Sequence, residues 1–185
     1  MAKMYLILGC MFLSWHLTGQ KEALYITQNG TVRFSSEAPL ELIEAASDEL
    51  QGVIDPTSNT FAFSVSVNSF KGFNNALQAA HFHENYMESS RYPSATFVGK
   101  IIEKVDLNVD GLYFVRAKGQ LELHGATKER IIKCCVKVEG EKMTTHARFT
   151  LLLEEHHIDV PKIVHQKIAT EIIVDMEAEF LKQKI

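Results

Sequence analysis

The chain has 185 residues, 46% of them hydrophobic and 23% charged, with 19 Lys plus Arg against 23 Asp plus Glu. This is ordinary globular composition, and four Pro with ten Gly exclude a collagen-like or low-complexity chain. A formal net charge of −4 with no run of Lys and Arg argues against general nucleic-acid binding, because phosphate affinity needs clustered cations. The expected partners are therefore uncharged, apolar or cationic.

Lys3 precedes the uncharged, mostly apolar run Met4–Leu13. Such a run is too short to span a bilayer as a helix, but it has the length of a signal-peptide core behind a basic start. Residues 1–19 are expected to be a signal peptide cut after Gly19, leaving 20–185 as one domain in the periplasm or outside the cell. Cys10 behind Ile7-Leu8-Gly9 only faintly resembles a lipoprotein site, with too short a stretch between it and Lys3 for the membrane segment. The other two cysteines, Cys134 and Cys135, are adjacent, and neighbouring side chains on a strand point to opposite faces, so two free thiols are expected.

From residue 31 onward the dominant signal is alternation with period two, the mark of half-buried β-strands. Val32 and Phe34 alternate with Thr31, Arg33 and Ser35. Pro39 to Leu50 reads instead as a short helix, with Leu40, Ile43, Ala46 and Leu50 at three- and four-residue spacing. Phe61, Phe63, Val65 and Val67 then oppose Ala62, Ser64, Ser66 and Asn68. Lys71 to Ser90 breaks the alternation again: Phe73, Leu77, Ala80, Phe82 and Tyr86 predict one or two helices, ending before Tyr92-Pro93. Strand patterns resume with Ala95, Phe97 and Ile101. Tyr113, Val115, Ala117, Leu121 and Leu123 form the inner face of the next strand, and Ile132, Cys134, Val136 and Val138 that of the following one. Two more carry Met143, Thr145, Ala147, Phe149 and Leu151, then Ile168 to Phe180 with Ile172 and Val174 inward. Gln28-Asn29-Gly30, Val109-Asp110-Gly111 and Glu139-Gly140-Glu141 are expected to be hairpin turns.

Clean alternation in seven or more segments means antiparallel strands with one solvated face, since parallel strands are buried on both sides. Rossmann and TIM architectures are excluded, and strands so long and numerous must stack as a sandwich or close into a barrel.

Two blocks carry a resemblance. Glu84-Asn85-Tyr86-Met87-Glu88-Ser89-Ser90-Arg91-Tyr92-Pro93-Ser94-Ala95-Thr96-Phe97 and Gly119-Gln120-Leu121-Glu122-Leu123-His124-Gly125-Ala126-Thr127-Lys128 resemble, in order and spacing, the YceI-like family of exported bacterial proteins. Gly52-Val53-Ile54-Asp55 and Ile158-Asp159-Val160-Pro161-Lys162-Ile163 also look like family positions, so the likeness runs from about Tyr25 to Ala178. The resemblance implies an all-β fold: an eight-stranded antiparallel lipocalin-like barrel, capped at one end by one or two short helices. It also implies an interior that carries a long isoprenoid or another amphiphilic lipid chain, with no catalytic residues and no cofactor. The expected walls are Phe61, Phe63, Val65, Phe97, Val115, Leu121, Leu123, Phe149, Leu151, Ile172 and Val174. Tyr86, Arg116 and His124 are candidates for polar contacts at the mouth, and transient membrane contact is a further expectation. Parity identifies an apolar face; whether it encloses a void or merely fills the barrel stays open.

Competing chemistry is thinner. His81-Phe82-His83-Glu84 has the composition of a zinc site, but on a helix residues two apart diverge by about 200°, and the hydrolase spacing is His-x-x-x-His. The family pattern usually has Asn where His83 stands. No nucleophile elbow and no glycine-rich phosphate loop occurs. A metal-dependent hydrolase and a binding module for another small amphiphile are the alternatives to a lipid carrier.

Overall fold

The computed structural model describes residues 23–184. The expected signal peptide and Cys10 lie outside them. Eight strands form the chain's frame: β1 (Ala23–Glu37), β2 (Leu42–Asp55), β3 (Thr60–Ser66), β4 (Ser94–Ile101), β5 (Gly111–Leu123), β6 (Ala126–Glu139), β7 (Lys142–Leu152) and β8 (Glu171–Lys184). Each pairs antiparallel with the next, and β8 returns to β1, so the sheet closes as an up-and-down barrel. The alternation read from the sequence maps onto this wall: on β5, Val115, Ala117, Gly119 and Leu121 are buried while Leu112, Phe114, Arg116 and Gln120 are exposed.

The barrel has two unlike ends. At one lie the β2–β3 turn, the β4–β5 loop and the β6–β7 turn. Tyr25, Leu107, Val138, Met143 and Phe180 are almost completely buried there and form a floor. Polar ties hold it shut: the Tyr25 hydroxyl donates to the Gly140 carbonyl (3.3 Å), the Asn59 amide to the Val105 carbonyl (2.9 Å) and the Gly140 N–H to the Asp110 carboxylate (2.8 Å). At the other end lie the β1–β2 turn, the long β3–β4 segment, the β5–β6 turn and the β7–β8 loop. The β3–β4 segment carries α1 (Ala76–His81), continued by a π-helical turn over Phe82–Tyr86, as the sequence periodicity anticipates. Asn75 caps α1 by accepting a hydrogen bond from the Gln78 N–H at 2.9 Å.

Two expectations need correction. Pro39 to Leu50 is not helical: Leu42 onward is β2, paired with β1 from Glu37↔Leu42 to Tyr25↔Ile54. Gln28-Asn29-Gly30 is not a turn but the centre of β1, where the register to both neighbours slips. Both errors have one cause. In β1, Gln28 and Asn29 are exposed in succession, and in β2 so are Asp48 and Glu49; each pair marks a bulge that resets the inward parity. On β2 the inward set becomes Ile43, Ala45, Ser47, Leu50, Gly52 and Ile54, so Ile43 and Leu50, seven residues apart as on one face of a helix, share the inner face, whereas Ala46 faces outward and Leu40 precedes the strand. Of the three expected turns, Glu139-Gly140-Glu141 keeps its positive φ at Gly140, whereas neither Gly30 nor Gly111 has one. The β5–β6 hairpin instead turns through His124 (φ 50°) and Gly125 (φ 72°), both left-handed as a type I′ turn requires. Ile168 and Thr170 precede β8 rather than belonging to it.

The ladder is incomplete near the mouth. β6 and β7 pair only from Cys134↔Ala147 to Glu139↔Lys142, so their upper halves part. Arg130 spans the gap, donating to the Thr150 carbonyl (2.6 Å) and to Glu155 (2.8 Å).

Candidate ligand cavity

Between the floor and the helical cap lies a cavity of about 540 Å³, within the range of sites for small apolar ligands. Two small inward residues in mid-barrel, Ala117 and Ala147, are part of its lining. Gly99 and Gly119 face each other across β4 and β5, where a Cβ on Gly119 would meet the Val98 carbonyl oxygen, so the two strands bend closely together. Ala117 and Ala147 add little bulk, and larger side chains project from above and below. Between Thr145 and Leu151 the lined stretch of β7 is about 20 Å long at roughly 3.3 Å per residue, or about 15 Å of depth for the usual barrel tilt.

Eleven of the twelve side chains expected to bind ligand border this space: Phe61, Phe63, Val65, Tyr86, Phe97, Leu121, Leu123, Phe149, Leu151, Ile172 and Val174. Val115 does not; it belongs to the core cluster of the floor, with Tyr25 and Leu107. Phe61 and Phe97 pack at 5.0 Å between ring centroids, and Phe63 meets Phe180 edge-on at 5.9 Å, joining wall to floor. Gly52 leaves the room that the Phe63 ring occupies, since a Cβ there would lie 2.7 Å from it.

The mouth is built around a cluster that the sequence signalled without assembling. Phe82 stacks on Phe34 of β1 at 5.3 Å and packs against Phe73 at 5.0 Å and Phe70 at 5.9 Å. These rings pin the cap to the barrel wall, and the Ala46–Lys71 backbone pair adds a strand-like tie to β2 (2.8 Å in both directions). Phe34 and Phe82 each stood in a recognised apolar pattern; only the tertiary fold shows that they meet. Burial holds the Tyr86 phenol above its usual pKa, so its hydroxyl stays neutral and able to donate into the cavity mouth.

The other two mouth candidates lie elsewhere. Arg116 faces outward from β5 and is bound by Glu103 of the β4–β5 loop at 2.6 Å, on the floor side of the barrel. Strand parity explains this, because its neighbours Val115 and Ala117 take the inner face. His124 is buried in the β5–β6 turn, bonded through Nδ1 to the His156 carbonyl (3.0 Å), with Glu88 3.3 Å from Nε2 and the Tyr92 ring at 4.5 Å. It ties together three mouth segments and does not border the cavity. His156 itself is fully buried, and desolvation lowers its pKa.

The histidines proposed for zinc diverge. His81 is exposed at the mouth, whereas the His83 ring packs edge-on against Phe82 and Phe73 (5.0 and 6.1 Å). Among the described residues no three His, Cys, Asp or Glu side chains converge as metal ligands. Cys134 faces the cavity and is pushed by burial up to a pKa of about 11, and both it and Cys135 are free thiols.

A family model for the YceI-like domain matches residues 23–180. The chain belongs to the YceI-like family. Among solved structures, this YceI-like chain is similar to a polyisoprenoid binding domain from Saccharophagus degradans implicated in plant cell wall breakdown. The identity is 17%, the match covers 88% of this chain and 100% of that one, and the TM-score is 0.73. It is also similar to BcnA of Burkholderia cenocepacia (16% identity, 81% and 95% covered, TM-score 0.65). A third likeness is to the YceI protein of Campylobacter jejuni (16%, 75% and 84%, 0.59). At these identities the likeness is one of fold. No curated protein matches the chain.

Proposed function

We propose that this YceI-like protein binds a long-chain apolar lipid, a polyisoprenoid or similar amphiphile, inside the barrel and carries it in the extracytoplasmic compartment, without catalysis. The observation that carries the reading is the cavity itself: apolar walls, a sealed floor and one open end. The polyisoprenoid-binding neighbour of the same fold supports the ligand class, and the signal-like pattern of residues 1–19 supports export.

Magnitudes define what such a site can do. Burying about ten methylenes at roughly 0.8 kcal/mol each yields about 8 kcal/mol relative to water, in the range of micromolar affinity before ordering costs. Relative to a bilayer the same chain gains almost nothing, because lipid tails are as apolar as the walls. The protein therefore shields lipid in water and exchanges it reversibly with membranes.

Native mass spectrometry of the purified protein, before and after organic extraction and with a metal scan of the same sample, tests the proposal. A lipid present in stoichiometric amount and lost on extraction is the expected result. One bound zinc per chain and no lipid would refute the carrier reading in favour of metal chemistry.

A further inference from the structure

The open end carries exposed apolar side chains that the barrel does not use. Leu40 in the β1–β2 turn is 67% exposed, Leu77 on α1 65% and Ile163 in the β7–β8 loop 92%. These segments are tied to one another: the Leu40 N–H donates to the Gln166 carbonyl (2.8 Å), and the Gln78 amide to Glu41 (2.9 Å). The three apolar tips thus belong to one rim. Leu77 also borders the cavity, as do Val164, Lys167 and Ile168 of the loop that carries Ile163, so the segments that bear these exposed tips also line the opening. Lys71, Lys162 and Lys167 are exposed on the same segments, and so are Glu84, Glu154 and Asp159.

We propose that this rim is a membrane-docking surface, through which lipid passes between a bilayer and the cavity without crossing water. The inference rests on the lipid-binding reading above and adds the donor surface and the residues that meet it. Apolar tips fit the bilayer interface, where side chains of this kind bury their ends among acyl chains while the charged groups beside them stay at headgroup level. Exposed apolar residues occur at the floor end too, among them Phe114 (77%) and Leu112, but Tyr25, Leu107 and Phe180 seal the barrel behind them. A bilayer docked there would face a closed floor.

The experiment compares two routes of loading with a fluorescent long-chain lipid: from detergent micelles, and from phosphatidylcholine–phosphatidylglycerol vesicles. The variants are Leu40→Asp with Ile163→Asp, neither of which borders the cavity, and Phe114→Asp as the floor-end comparison. The rim variant should load from micelles as the parent does, but its transfer from vesicles should slow by about tenfold or more, since each leucine-sized group kept out of the bilayer forfeits about a tenfold gain in adsorption. Phe114→Asp should transfer at the parental rate. Parental transfer by the rim variant, or equal slowing by Phe114→Asp, would overturn the docking surface while leaving lipid binding intact. Failure of the parent to load by either route would remove the lipid reading itself. Leu40→Ser with Ile163→Ser serves as the milder pair if the charged variant is poorly folded, with the same outcomes in the same directions.

Discussion

Replacing Phe82 with alanine should release the cap from the barrel while leaving the strands in place. Phe82 meets Phe34, Phe70 and Phe73 at 5.3, 5.9 and 5.0 Å, and Phe34 is the partner that belongs to the wall. Three aromatic pairs at about 0.5–1.5 kcal/mol each amount to about 2–4 kcal/mol. Full truncation of a core phenylalanine costs about 3–5 kcal/mol, but Phe82 is half-buried beside an existing void, so the lower range applies. At about 1.4 kcal/mol per decade this raises local opening of the cap roughly 30- to 700-fold, up to the limit set by global unfolding. Hydrogen exchange reads it directly. The Met87 and Ser89 amides, bonded to the Phe82 and His83 carbonyls at 2.8 Å each, should lose protection by that factor. Amides of β7 and β8 should keep theirs, and release of a bound lipid probe should quicken in parallel. Unchanged exchange at Met87 and Ser89, or equal losses across β7 and β8, would refute the idea that the aromatic cluster is a local clasp.

Other changes probe the cavity and its frame. Ala117→Trp, inward on β5 opposite Ile132, should fill the lower cavity: circular dichroism stays that of the parent, and native mass spectrometry finds no lipid. Retained lipid would mean that the ligand sits elsewhere. Gly119→Ala places a methyl group against the Val98 carbonyl oxygen and the Gly99 backbone, neither of which can yield without parting β4 from β5, so urea denaturation should show a loss of about 1–3 kcal/mol. Alkylation of Cys134 should be slow at pH 8, because a thiol held near pKa 11 is almost entirely protonated, and lipid loading should slow it further by covering the sulfur. Peptide mapping after iodoacetamide treatment checks both statements. His156 gives stability a pH dependence: the buried ring resists protonation, whereas the unfolded ring takes a proton near pH 6.5. Its contribution is therefore constant above that pH and falls as the pH drops from about 6.5 toward the lower native value. Urea midpoints from pH 8 to 5 should show this decline, and His156→Leu should flatten it.

How much was legible depended on the period of each segment. β5 and β7 alternate through their length and β3 and the latter half of β6 keep the same parity, so strand, inner face and antiparallel class could all be read from residue order. β1 and β2 could not be read so, because each contains one extra outward residue, and a single slip turns an alternating pattern into one that imitates a helix. The walls of the cavity were legible by the same parity, from Phe61 on β3 to Val174 on β8. The void was not, since it depends on how side chains from all eight strands fill the space around small inward residues such as Ala117 and Ala147. Nor was the floor: Leu107 comes from a loop with no periodicity, and it is sealed in by Tyr25 and Phe180 from opposite ends of the described chain. Arg116 and His124 were polar residues beside apolar patterns, and their uses, an outer ion pair and a turn anchor, rest on partners remote in sequence.

The parted upper halves of β6 and β7 bear on how the barrel accommodates guests of different girth. A closed ladder fixes circumference, because widening any level means breaking backbone hydrogen bonds all along a seam. Above Cys134↔Ala147 no such ladder joins these two strands, and the Arg130 side chain bridges the span at the Thr150 carbonyl and Glu155. Expansion there exchanges two side-chain hydrogen bonds for water, whereas the same expansion at the floor would tear main-chain pairing. The lower barrel is thus a gauge of fixed bore, and the upper barrel is a collar with an adjustable fastening.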